Sequence, residues 1–158
     1  MSTIKAALPL LALHEGTWQG TYRYYDSAGE KVDEHESRLV LRLPAEGPWP
    51  YVQTSEYTWP SGKREKREFT ATYRDGRLWF DSERISGWAA EVTLDAHRRT
   101  AMLYWTRKDE PGTYLYEMSQ LSDCRRYRTR IGQWLAGGQT RLRILIDEQR
   151  VEDAKAAG

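Results

Sequence analysis

Three histidines and one cysteine are the residues of this chain most able to do chemistry: His14, His35, His97 and Cys124. No two of the histidines stand at a metal-ligand spacing such as His-x-x-x-His, and Cys124 has no partner motif, so no metal site is expected. Cys124 lies between Asp123 and Arg125 in a turn, without a neighbouring base, which argues against a catalytic thiol. The chain also lacks a Gly-x-Ser-x-Gly elbow, a P-loop and a dinucleotide fingerprint. His97 falls in the Asp95–Arg98 turn and reads as solvated, whereas His14 precedes the first strand and reads as part of a cap. His35 sits in Asp33-Glu34-His35-Glu36 and shares a strand face with Ser37 and Leu39. If that face is inward, His35 stands at the mouth of a pocket with acids beside it; if not, it belongs to a solvated acidic loop. Glu117 is a carboxylate at a strand position. Either His35 or Glu117 could serve as the general base of a cofactor-free isomerase, lyase or dehydratase, with a tyrosine or arginine as electrophile. Asp147-Glu148 adds two carboxylates, but spacing alone does not fix the separation a paired-carboxylate hydrolase requires.

The densest basic run is Arg125-Arg126-Tyr127-Arg128-Thr129-Arg130. At the two-residue period of a strand, Arg126, Arg128 and Arg130 share one face, and Tyr127, Thr129 and Ile131 share the other. Two readings stay open. The arginines form an outward ladder paired with neighbouring acids, or Arg128 and Arg130 turn inward to hold an anionic head group.

Composition narrows the classes. Lys+Arg 24 against Asp+Glu 23 leaves a net charge of +1, without the basic excess of a nucleic-acid module. No apolar run reaches the ~20 residues of a membrane helix, so neither nucleic acid nor membrane is expected as a partner. The Ala6–Leu13 stretch is short, holds Pro9 and makes a poor export signal. A single cysteine cannot form an internal disulfide, and a cytoplasmic location is the expectation. Seven Trp and ten Tyr stand against two Phe in a chain whose mean hydropathy is −0.80. Such side chains join a large apolar body to a polar tip and suit a mixed, ligand-lined interior.

Turn signals at short, regular intervals divide the chain into about ten strands. These are Thr17–Tyr25, Glu36–Leu43, Tyr51–Trp59, Arg64–Arg74, Leu78–Asp81, Trp88–Leu94, Ala101–Arg107, Tyr114–Leu121, Tyr127–Leu135 and Thr140–Asp147. Ser2-Thr3 is placed to cap a short helix running to Leu13, interrupted or kinked at Pro9. Glu148–Gly158 reads as a frayed helix or a tail. No segment is long enough for a βαβ crossover. The meander therefore predicts one all-β domain, residues 1–158, built as an antiparallel up-and-down barrel over about 16–148, because closure removes both edges.

Gly16-Thr17-Trp18, directly after the short helix, resembles the Gly-x-Trp signature that opens the first strand of lipocalins and other calycins. With Leu13-His14-Glu15 before it, Leu103-Tyr104-Trp105 and Leu145-Ile146-Asp147-Glu148, the chain from Leu13 to Glu148 resembles lipocalin-like bacterial proteins of uncharacterised function. The resemblance implies a barrel with an interior pocket and an arginine packed across Trp18 at the closed end, where Arg141 or Arg143 would serve. It implies no activity. Fatty-acid-binding relatives hold anions with an Arg-x-Tyr pair, which Arg125 and Tyr127 match in spacing, though on an earlier strand. The leading expectation is a cofactor-free barrel that binds a small apolar or aromatic ligand, neutral or anionic. Trp18, Tyr22, Tyr57, Trp88, Tyr104 and Tyr116 would line it, with Arg128 or Arg130 as anion holders. The enzyme on the same cavity is the alternative, and a haem-binding barrel with His14 or His35 as proximal ligand is a second.

Overall fold

Alternating apolar and polar residues give nearly every segment one dry face and one wet one, and a single meander of such strands leaves two raw edges. In the computed structural model, which describes residues 3–152, those edges satisfy each other. Ten antiparallel strands pair with their sequence neighbours, and the first closes on the last. They are β1 (Gly16–Asp26), β2 (Lys31–Arg42), β3 (Tyr51–Thr58), β4 (Arg64–Arg74), β5 (Arg77–Asp81), β6 (Ile85–Val92), β7 (Thr100–Arg107), β8 (Thr113–Leu121), β9 (Tyr127–Ala136) and β10 (Gln139–Val151). The all-β, up-and-down barrel is the architecture observed.

The N-terminal helix is interrupted before Pro9, giving α1 (Thr3–Ala7) and α2 (Pro9–Ala12). Pro9 cannot continue α1 but suits the first turn of α2, where its missing N–H costs nothing. Ile4, Leu8, Leu10 and Leu11 are buried and plug one end of the barrel against Leu39, Leu41, Leu43 and Leu121. Two carboxylates pin the plug: Glu91 accepts from the Leu11 amide at 2.8 Å, and Glu15 accepts from the Leu43 amide at 2.9 Å. Ser2 as a cap and the tail beyond residue 152 lie outside the described residues. Among those described, no helix is long and apolar enough to cross a membrane.

β10 runs to Val151, past the expected stop at Asp147. The charged residues Glu148 and Arg150 read as tail because burying a charge is costly unless it is paired. Here Glu148 is ion-paired and Arg150 is hydrogen-bonded to main-chain carbonyls, as shown below.

Three inward positions are glycines, and each lies directly across from a large inward side chain: Gly20 from Glu148, Gly87 from Trp105, Gly132 from Glu117. A Cβ on Gly20 would meet the Asp147 carbonyl at 2.0 Å, and one on Gly87 would meet the Tyr104 carbonyl at 1.9 Å. The missing side chains make the room into which the large ones lean. One seam is short. β4 and β5 pair only through Thr72–Trp79, Tyr73–Leu78 and Arg74–Arg77, while Arg64–Ala71 of β4 pairs with β3 alone. The wall is open there.

Candidate functional site

Trp18 is fully buried at the closed end. Its indole N–H donates to the His14 carbonyl at 2.9 Å. The guanidinium carbons of Arg128 and Arg150 lie 4.5 and 4.4 Å from its ring centroid. Arg150 stands directly across from Trp18 in the β1–β10 register and donates to the carbonyls of Glu15 and Leu13, both at 2.6 Å. The tryptophan thus has arginine partners, but they are Arg150 and Arg128. Arg141 and Arg143 are exposed on the outer face of β10, nearer its start. The extra turn of strand at the end of β10 supplies the correct residue.

Above this floor runs a buried ionic network. Glu148 accepts from Arg128 Nε at 2.5 Å and from Arg130 Nη2 at 2.9 Å, while Glu117 accepts from Arg130 Nη1 at 3.1 Å. Arg130 also donates to the Tyr22 hydroxyl. Burial would raise the Glu148 carboxyl, but Arg128 and Arg130 hold it down to about 2. The inward reading of the basic run is the one the structure adopts, and the two arginines differ. Arg130 spends all its nitrogens on protein acceptors. Arg128 gives Nε to Glu148 and Nη1 to His14 Nδ1 at 3.3 Å, and its Nη2 has no partner.

That contact fixes the histidine. A guanidinium only donates, so Nδ1 must accept and the proton sits on Nε2. Burial, and then the charge of Arg128, pushes His14 down to about 3, so the ring is neutral. Folding therefore excludes a proton that the unfolded histidine takes up. The contribution is complete above the unfolded value of 6.5 and is lost as pH falls toward 3. Stability to urea is expected to decline as pH drops from 7 to 5, before the carboxylates titrate, with a slope of up to about 1.4 kcal/mol per pH unit. His14→Gln should remove that part of the slope; an unchanged slope in the variant would show that His14 is protonated in the folded state.

Among the described residues, four buried polar side-chain atoms have no hydrogen-bond partner: His14 Nε2, Arg128 Nη2, Trp105 Nε1 and Ser119 Oγ. All four residues line one interior cavity of about 150 Å³, whose other walls include Leu41, Leu78, Phe80, Leu115, Ile144 and Ile146. A second chamber of about 340 Å³ continues from it at the short β4–β5 seam. Arg67, Phe69, Phe80, Trp105 and Trp134 line both. Three arginines, 67, 128 and 130, face the inner cavity; Glu65 pairs with the first, and Glu148 and Glu117 with the other two.

Of the residues singled out by sequence, Tyr22, Tyr57, Glu117, Arg128 and Arg130 line this cavity. Trp18 lies beneath it. His35 is buried but off the wall, with Nδ1 2.7 Å from Asp33 and its ring packed among Tyr22, Tyr24, Tyr57 and Trp59. Trp88, Tyr104 and Tyr116 are corrections, since all three project from the outer wall. Their neighbours Ala89, Leu103 and Glu117 take the inward face, and Tyr116 is 44% exposed. On these strands glycine, alanine and an acid share the inward face with Leu103, Trp105 and Leu115 while Trp88, Tyr104 and Tyr116 take the outward one, so both faces carry large apolar residues and alternation does not separate them. Trp105, Trp134, Phe69 and Ser119 were not singled out; the signal for Trp105 was Gly87, the small residue opposite it.

No family model matches the chain, and no curated protein matches it in sequence. Solved structures match in fold. The S-type phycobiliprotein lyase CPES from Guillardia theta is 14% identical over 98% of this chain and 95% of its own, with a TM-score of 0.70. Rv2717c from M. tuberculosis is 14% identical, covering 92% of this chain and 98% of that one, with a TM-score of 0.63. A DUF3598 protein of unknown function from Nostoc punctiforme is 15% identical over 89% of this chain, with a TM-score of 0.66. The chain spans about half of that protein, 49% of its length. These likenesses concern the fold alone, a closed antiparallel β-barrel.

Proposed function

We propose that the barrel binds one small, largely apolar or aromatic molecule with an acidic end. The four partnerless polar atoms around one cavity of mixed apolar and polar walls carry this reading. A buried polar group without a partner costs about 1–3 kcal/mol, and four around one space are matched by a ligand, or by water it displaces, that offers acceptors. Arg128 Nη2, His14 Nε2 and Trp105 Nε1 all donate, so the complementary head group accepts, and the open guanidinium nitrogen of Arg128 gives an acid a charge-assisted bond. The open seam between β4 and β5 gives the ligand its way in. Small-molecule binding, with no part for nucleic acid or membrane, fits the interior placement of every one of these groups.

Two other readings fare less well. For catalysis, His35 is off the wall and Glu117, which is on it, is engaged by Arg130. For haem, His14 uses Nδ1 to accept from Arg128 and carries its proton on Nε2, and His35 does not line the cavity, so neither presents a lone pair to an iron there.

Apolar carboxylates, aromatic and fatty, are expected to quench tryptophan fluorescence saturably with Kd near ~1 µM, about −8 kcal/mol. Trp105 and Trp134 on the wall would report it. Arg128→Gln should weaken acids about tenfold more than their neutral amides, since only the acid loses a charge-assisted bond. Trp105→Phe removes a donor without touching the ionic network and should weaken both. Equal weakening of acids and amides by Arg128→Gln would remove the acidic end from the proposal. No saturable binding across the panel would overturn the proposal itself.

A further inference from the structure

The outer wall of the barrel is not uniform. β2 shows Glu34, Glu36, Arg38 and Arg42 to the outside, β4 shows Arg64, Lys66 and Glu68, and β10 shows Arg141, Arg143 and Asp147. Between them, the outward positions of β6, β7, β8 and β9 carry no charged residue at all, in a chain of which 30% is charged. Two transverse rows cross this face in direct register. One is Trp79–Trp88–Tyr104–Tyr116, with Trp88 and Tyr116 at 6.1 and 5.1 Å from Tyr104 between ring centroids. The other is Ala90–Met102–Met118–Ile131–Leu145. Tyr116, Ile131 and Leu145 are 44, 51 and 40% exposed.

We infer that this face is the interface of a two-fold homodimer. Loss of charge with gain of Trp, Tyr and Met marks the centre of protein–protein interfaces rather than ordinary surface. The partner is a second copy because of the charge pattern. A two-fold contact sets a patch against itself, so any net charge at its centre would meet its like; the four central strands carry none, and the cations that reach the patch, Arg77 at 4.4 Å from the Trp88 ring centroid and Arg74 at 4.8 Å from that of Trp79, lie at its β4–β5 edge. The margins hold charges of both signs, Arg77 and Asp81 on β5 and Arg143 and Asp147 on β10, as a polar rim requires. Size agrees. Four strands at ~4.8 Å spacing and about 25 Å long give roughly 500 Å² in projection, and the flanking Trp79 and Leu145 bring it toward the ~800 Å² per partner of a standard interface. The inference is independent of what the cavity holds.

Sedimentation equilibrium or light scattering from about 1 to 100 µM tests it. The chain of 18.5 kDa is expected to run at twice its mass over most of that range. Ile131→Glu, at a half-exposed position in the middle of the face, should raise the dissociation constant at least tenfold. Circular dichroism and ligand-induced quenching should stay unchanged, because the cavity lies on the other side of the wall. Thr54→Lys, on the outer face of β3, should leave the mass untouched. A wild-type chain that stays monomeric at 100 µM overturns the inference, and so does a dimer that Ile131→Glu does not weaken. A face that proved to bind vesicles or another protein, with the chain monomeric, would overturn it too.

Discussion

Glu148→Gln is expected to lower the free energy of unfolding by about 3–5 kcal/mol, measured as a shift of the urea midpoint at pH 7. The substitution keeps size and shape and removes one charge. Two guanidiniums then lose their shared counter-ion: Arg128 is left with His14, and Arg130 with Glu117 and Tyr22. Arg128, Arg130 and Glu148 are all withdrawn from water, so no solvent restores what the carboxylate gave. The same carboxyl, held at about 2 against an ordinary 4.5, contributes fully above that ordinary value and is lost as pH falls toward 2. The variant should therefore be less sensitive to acid below pH 4.5 than the wild type. A midpoint shift under about 1 kcal/mol would mean that the arginines are solvated from the cavity, and the ionic floor would have to be redrawn.

Trp18→Ala should cost a comparable ~3–5 kcal/mol, as removal of a buried tryptophan does elsewhere. Three connections go with it: the bond to the His14 carbonyl and the contacts to Arg128 and Arg150. Arg150→Ala should cost less, because that side chain is only partly buried, but it frees the carbonyls of Leu13 and Glu15 that hold the helical plug to the last strand. Thermal unfolding of both variants checks the order. If Trp18→Ala leaves Tm unmoved, Trp18 is not the keystone of the closed end.

The fold was legible because alternation and turn residues are local. Leu39-Val40-Leu41 and Ile144-Leu145-Ile146 disclose a face within a few residues, and ten such faces in series close into a barrel by the edge argument alone. The site was legible where one strand face stands out from the other, as at Tyr22 and Tyr57 by apolarity and at Arg128 and Arg130 by charge. It was not legible where both faces carry large apolar residues. On β6 to β8, Leu103, Trp105 and Leu115 face in while Trp88, Tyr104 and Tyr116 face out, and only the pairing of the strands tells the two sets apart. Glu148 and Arg150 were hidden for another reason. A buried charge is recognised by its partner, and Arg128, twenty positions away, is joined to Glu148 only by the β9–β10 pairing. The arginine face at 128 and 130 was readable as a face; its direction was decided by Glu117 and Glu148, on the strands to either side.

The glycines opposite Glu148, Trp105 and Glu117 also bear on how this barrel can change over generations. At Gly20 and Gly87 the first obstacle to a side chain is a main-chain carbonyl of the neighbouring strand, so trimming Glu148 or Trp105 would not admit one, and glycine is locked in at both positions. Their partners are under no such lock: a smaller residue at Trp105 enlarges the cavity and leaves the backbone as it is. A descendant of this protein with a different ligand would then keep its glycines and vary the large residues across from them, a one-sided record of substitutions rather than paired exchanges.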